Sequence, residues 1–174
     1  MPMPKKINNK HDKFSKELLA DKEIAIEFLN ELLSPTLKQH LTIETLVQEQ
    51  SSYLNAELKE SFADIVWRIE TNTKPVKICL LLEHKSYKDE TVAFQILEYL
   101  SLGYRKQLKA KKQLELIIPV LYSHGTETWH LKGVTHFFTE IPESFRQYLP
   151  NFALEYINLQ ALSHEHILNL RNGM

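Results

Sequence analysis

Cysteine is almost missing from this chain. Cys79 is the only one among 174 residues, so no internal disulfide and no multi-cysteine zinc site can hold the fold together. Its place in an apolar run reads as a plain core thiol. Long apolar stretches are missing as well. The longest, around Ile78–Leu82, is far short of the roughly 18–20 residues of a membrane span, and the first residues carry no apolar signal segment. The expectation is a cytoplasmic protein with no membrane partner. An excess of charge is also absent: 21 Lys and Arg stand against 22 Asp and Glu, a net of −1. Overall charge therefore gives no argument for a nucleic-acid partner, and any such surface has to be local. No low-complexity tract and no internal repeat occurs, which excludes a collagenous or tail-like chain.

What is present suits one folded unit. At 43% hydrophobic and 25% charged residues, the chain can bury a sizeable core, and its length favours a single domain. A polar start, Met1–Lys10, lacks periodicity and is expected to be flexible, leaving 11–174 as the domain. From His11 to Leu33 the apolar residues recur at three- and four-residue steps, the spacing of a helix, with Asp21 suited to cap a piece starting near Lys22 and Pro35 to close the segment. A connector rich in Thr and Gln follows. Leu54–Ile69 carries an alternating run, with Phe62, Asp64, Val66 and Arg68 on one face and Ala63, Ile65, Trp67 and Ile69 on the other. A turn is expected at Thr71–Pro75. Val76–Lys85 is the most apolar strand and fits the middle of a sheet. Thr91–Lys109 returns to helical spacing, and Leu114–Tyr122 is a further strand. Phe152–Leu159 reads as a short strand, and Ser163 as the cap of a last helix ending at Gly173. This order predicts an α/β or α+β domain, a small mixed sheet flanked by helices.

The chemistry concentrates between Asp64 and Tyr99. Asp64 is a carboxylate in a strand otherwise built of Ala, Ile, Val and Trp, where an ionised acid needs a partner or a metal. Glu83 ends the most apolar strand, and Lys85, two residues on, would share its face. With Asn72 and Thr73 as the turn, Asp64 faces Leu81 and lies diagonal to Glu83, within reach of two longer side chains. Two carboxylates and an ammonium would then meet at one sheet edge. Oxygen donors of this kind suit a hard divalent cation such as Mg²⁺, with Mn²⁺ or Ca²⁺ as alternatives. The same residues also fit an ordinary acid–lysine pair at a strand end. The densest basic stretch, Arg105, Lys106, Lys109, Lys111 and Lys112, is the candidate DNA-binding run, and equally suits a solvated helix end.

Asp64, eighteen intervening residues and Glu83-His84-Lys85 resemble the PD-(D/E)xK nuclease motif. Gln95-Ile96-Leu97-Glu98-Tyr99 matches the Gln-x-x-x-Tyr element of its RecB-like members, whose two marked residues lie four apart on one helical face. His11-Asp12-Lys13-Phe14, Ser61–Ile65, Leu81–Ser86, Ile118–Tyr122, Gly125 and Trp129 together look like the recombination-promoting nuclease family, the YhgA-like transposases. The resemblance spans most of residues 11–160. It implies a restriction-endonuclease-like core, DNA as partner, and self-association as an open alternative. It also implies Asp64 and Glu83 as metal ligands with the His84 backbone carbonyl, Lys85 as catalytic, and Gln95 and Tyr99 as orienting groups. Glu17 is the candidate for an additional acid on the first helix, against the commoner reading of an exposed helix acid. Members of the family often carry glutamine where Lys85 stands, and many continue well beyond this length.

The eight histidines supply no zinc-hydrolase spacing: His164 and His166 are two apart, and no His-Glu-x-x-His run occurs. His84 alternates with Glu83 and Lys85, which favours packing over catalysis, and His11-Asp12 suits a helix cap. Three functions follow. The first is a metal-dependent DNA endonuclease, the second a catalytically silent DNA-associated or protein-interaction module, and the third a transposase that joins strands.

Overall fold

The computed structural model describes residues 19–48, 65–72, 77–85, 88–111, 113–123 and 129–158, with 77–85 described through their backbone. The start expected to be flexible, the last helix expected from Ser163, and the candidates Glu17, Asp64, Lys112, His11, His164 and His166 lie outside the described residues.

Helix α1, Lys22–Leu32, begins where the sequence expects it. Asp21 sits in extended conformation and its carboxylate accepts the main-chain N–H groups of Glu23 and Ile24 at 2.9 and 3.3 Å, satisfying donors that no helical turn can reach. Pro35 does more than close the segment. It opens a short second helix, α2, Pro35–Lys38, where its missing N–H costs nothing and Ser34 is the cap. Ser34 is also tied across the molecule, because its N–H and hydroxyl both donate to the Glu155 carboxylate, at 3.2 and 3.0 Å.

Among the described residues five strands make one sheet in chain order: β1 Leu41–Gln48, β2 Ile65–Thr71, β3 Lys77–Lys85, β4 Leu116–Ser123 and β5 Glu155–Asn158. The first three pair antiparallel, and β4 and β5 continue in parallel. The sheet is therefore mixed, with the apolar β3 at its centre. Strand β1 occupies what reads in sequence as a connector. Its pairing with β2 slips between Thr42 and Val47, so burial falls on Leu41, Ile43 and then Leu46. A bulge of this kind breaks the period of two by which a strand is recognised.

Helices cover both faces. On one, Ala25, Phe28 and Leu29 of α1 join Ile65, Trp67 and Ile69 of β2 with Val120 and Tyr122 of β4. On the other, α3, Val92–Lys109, sets Val92, Ile96, Tyr99 and Leu100 against Val66, Ile117 and Leu121. The two faces expected for β2 are thus those observed at Ile65, Val66, Trp67 and Ile69. Truncating a fully buried member such as Leu29 to Ala would cost about 2–5 kcal/mol. Two 3₁₀ turns, Val134–Phe137 and Glu143–Tyr148, occupy the stretch before β5. No helix among the described residues is long and apolar enough to cross a membrane.

Candidate active site

The parallel pair β3–β4 is joined through α3, so the amino end of α3 follows the carboxyl end of β3. Open sheets of this kind bind ligands at the carboxyl ends of their strands. Here β3 ends on Glu83, His84 and Lys85, which run level with Leu121, Tyr122 and Ser123 of β4.

The hairpin register differs from the expected one by two residues. Val66, not Asp64, is opposite Leu81, and Ile65 is opposite Leu82. The reason lies at Asn72, which the sequence reading puts in a tight turn. Asn72 is instead anchored to the start of β1: its N–H donates to the His40 carbonyl at 3.0 Å, its amide to the Gln39 carbonyl at 2.9 Å, and its side-chain oxygen accepts from the Thr42 hydroxyl at 2.6 Å. Strand β2 therefore runs on to Thr71, which pairs with Leu41, and the connection to β3 is longer than two residues. A shift of two preserves which residues share a face.

Above this edge stands the first half of α3. Its entry is set by Asp89, whose carboxylate accepts from the Thr91 N–H at 2.9 Å and from its hydroxyl at 2.7 Å. Gln95 is half-buried and Tyr99 is buried, in the same apolar cluster as Val66 and Leu121. The expected helix thus carries the Gln-x-x-x-Tyr pair with its tyrosine on the side that packs on the sheet.

The basic run lies at the other end of the same helix. Arg105 is ten residues past Gln95, about 15 Å along the axis at 1.5 Å per residue. Arg105, Lys109 and Lys111 are exposed, and Lys106 is half-buried. Partial burial lowers the Lys106 pKa from its ordinary 10.5, because the ammonium loses water. Lys111 adopts φ 53° just past the helix end, the left-handed position that closes many helices.

Three residues beside the edge carry polar or aromatic groups that sequence reading does not assign to a site. The hydroxyls of Ser123 and Tyr156 lie 2.9 Å apart, and the Tyr156 ring stands edge-on to Trp129 at 6.0 Å. Ser123 is level with Lys85 and with Asn158. Nothing local in the sequence pairs residues 123 and 156; only the parallel docking of β5 on β4 does. Among the described residues no group of three or more His, Cys, Asp or Glu side chains is assembled as a metal cluster.

Residues 9–172 match the family model described as "Putative transposase, YhgA-like". The chain is 30% identical over 125 residues to recombination-promoting nuclease RpnA of Escherichia coli (strain K12), covering 71% of this chain and 43% of that protein. It is 25% identical over 166 residues to recombination-promoting nuclease RpnD of Escherichia coli O157:H7, covering 92% and 63%. It is also 28% identical over 116 residues to the inactive recombination-promoting nuclease-like protein RpnE of strain K12, covering 66% and 39%. The chain thus spans about half the length of the curated relatives it matches. No solved structure matches it.

Proposed function

The chain belongs to the YhgA-like transposase family, and from that premise we propose that it is a metal-dependent DNA endonuclease working at the carboxyl end of β3. One observation carries the reading: the residues of the acid–lysine motif end the central strand, level with Leu121 and Ser123, on the strand pair that α3 joins and beneath the helix bearing Gln95 and Tyr99. Residues directly abreast in a ladder share a face. Leu121 packs in the α3 cluster, and by register positions 83 and 85 fall on that face of the sheet.

The donor set fits a hard cation. Asp64 and Glu83 would supply carboxylate oxygens and His84 a carbonyl, the ligand type Mg²⁺ takes. When bound, such a cation supplies an acidified water and charge neutralisation at the phosphodiester. The chain's own groups do the rest: Lys85 offers an ammonium to the scissile phosphate, and Gln95 orients Lys85 or the strand. The Tyr99 ring fixes the pitch of α3 over the edge.

Incubation of the purified protein with linear and circular DNA in Mg²⁺, Mn²⁺ or Ca²⁺, beside Asp64→Ala, tests this. Cutting that needs a cation and disappears in Asp64→Ala is expected; cutting undiminished by chelator sinks the mechanism. A second reading, a silent DNA-associated module, is favoured by the name of RpnE, an inactive relative at similar identity. It predicts binding without cutting in every cation. Strand joining, the third reading, predicts joined products in the same incubations.

A further inference from the structure

Phenylalanine is exposed at the amino end of α3 and at the 3₁₀ turn that follows β4. Phe94, on the first turn of α3 and adjacent to Gln95, is 39% exposed, and Phe137, at the end of a 3₁₀ turn, is 40% exposed. The two rings meet edge to face, 5.0 Å between centroids and 66° between planes. Single exposed apolar residues are ordinary, but a fixed pair of rings is a different object.

The pair is held by its surroundings. Lys132 and Glu90 form an ion pair at 3.0 Å that ties the segment after β4 to the entry of α3. Val134 is buried at the start of the turn, and Trp129 and Leu131 pack in the α3 cluster. One phenylalanine follows the carboxyl end of β3 and the other that of β4, the two strand ends on which Lys85 and Ser123 pair. Rigid rings beside a phosphodiester site have one natural occupant, the flat face of a base belonging to the same strand. Stacking of this kind ignores sequence and demands only that the base be out of its duplex stack.

We propose that Phe94 and Phe137 form a stacking platform for an unstacked nucleobase, so that the substrate is DNA that is single-stranded or opened next to the cut. This inference rests on the nuclease reading above.

The test uses the whole chain in chelator, where binding is read without cutting. The probes are a short fluorescent oligothymidine, its duplex with oligoadenine, and the same oligothymidine carrying one 5-iodouracil for photocrosslinking. Phe94→Ala and Phe137→Ala should each weaken binding of the single strand by about five- to a hundredfold, with much less effect on the duplex. Phe94→Leu and Phe137→Leu keep apolar volume and so protect the fold, yet should lose most of the same affinity. The crosslink should map to Phe94 or Phe137. Equal losses for single strand and duplex, full affinity in both Leu variants, or a crosslink elsewhere would overturn the platform. So would a change in sedimentation without a change in DNA affinity, which would make the pair a contact between copies of the chain. Cleavage in Mg²⁺ is scored separately. Cutting that persists without Phe-dependence defeats the platform alone, and Phe-dependent binding without cutting in any cation defeats the nuclease reading alone.

Discussion

The two ends of α3 are built on opposite principles. At the carboxyl end the polar groups close on each other. Buried Gln107 accepts the Glu115 N–H at 2.6 Å and donates to the Glu115 carbonyl at 3.1 Å, replacing the pairing a strand neighbour would give. The Glu115 carboxylate holds Arg68 of β2 at 2.8 Å, and the Tyr104 hydroxyl accepts the Ile117 N–H at 3.1 Å. At the amino end, half-buried Gln95 and exposed Phe94 stand over the end of β3. At one end side chains complete the main chain, and the other carries the Gln-x-x-x-Tyr residues. If the proposed site is right, stability and chemistry separate along a single helix, and substitutions at the two ends should fail differently.

The largest effect belongs to the amino end. Glu83→Gln keeps the size of the side chain and removes the anionic ligand, so cutting should fall on the order of a thousandfold or more, the scale of several kcal/mol of transition-state charge stabilisation. The melting temperature should hardly move. A variant that melts early and cuts at full rate would reverse the assignment of the two ends.

Gln107→Leu asks the complementary question. It leaves a main-chain N–H and a carbonyl of Glu115 without their partners, each worth about 1–3 kcal/mol when buried, so denaturant unfolding should show a loss of about 2–4 kcal/mol. Cutting per folded molecule should stay near the parent's. Arg68→Met should cost less, about 1 kcal/mol, because both partners of that ion pair are partly in water.

The difference between the ends also decides what sequence could reveal. The amphipathic period of α3, the alternation of β2 and the Asp21 cap are local patterns, and each is found where it is expected. The Glu83-His84-Lys85 run and the Gln-x-x-x-Tyr pair are read in the same way, from neighbours in the chain. Strand β1 is not legible, because its bulge moves burial from the odd positions to Leu46. The hairpin register escapes because Asn72 answers to Gln39, His40 and Thr42, thirty or more residues away in sequence. The Ser123–Tyr156 hydroxyl pair and the Phe94–Phe137 contact arise only once β5 and the 3₁₀ turn dock.

The basic run sits on the closed end, which sharpens the contrast between holding DNA and cutting it. Neutralising Arg105, Lys109 and Lys111 to Gln should leave the cutting step intact and weaken binding of all sequences. If the three are phosphate contacts, the slope of log affinity against log salt should flatten by about 0.9 per lost contact on duplex DNA. Lys106 belongs in a separate variant, since its partial burial makes it a packing residue as well. An unchanged slope would return the run to its plain role, cations at a helix carboxyl end.

A smaller effect than that at Gln107 comes from the point between the two ends. Gly103 is buried on α3, and a Cβ there would come within 2.5 Å of the Ile117 Cδ1 atom. Helix propensity alone favours Gly103→Ala by about 1 kcal/mol. Overpacking opposes it by about 1–3 kcal/mol, because Ile117 is itself buried in the α3 cluster and has to turn or carry the helix outward. The expected sum is a loss of up to about 2 kcal/mol. In an Ile117→Val background the obstructing carbon is gone, so the same alanine should recover its propensity gain, and a double-mutant cycle should return a coupling of about 1–3 kcal/mol. Cutting separates the two ways of relieving the clash. If Ile117 changes rotamer, Gly103→Ala cuts as the parent does. If α3 shifts instead, Gln95 moves with it, cutting falls while the Gln107 clamp is strained, and the two ends prove to be coupled through the rigid helix that joins them.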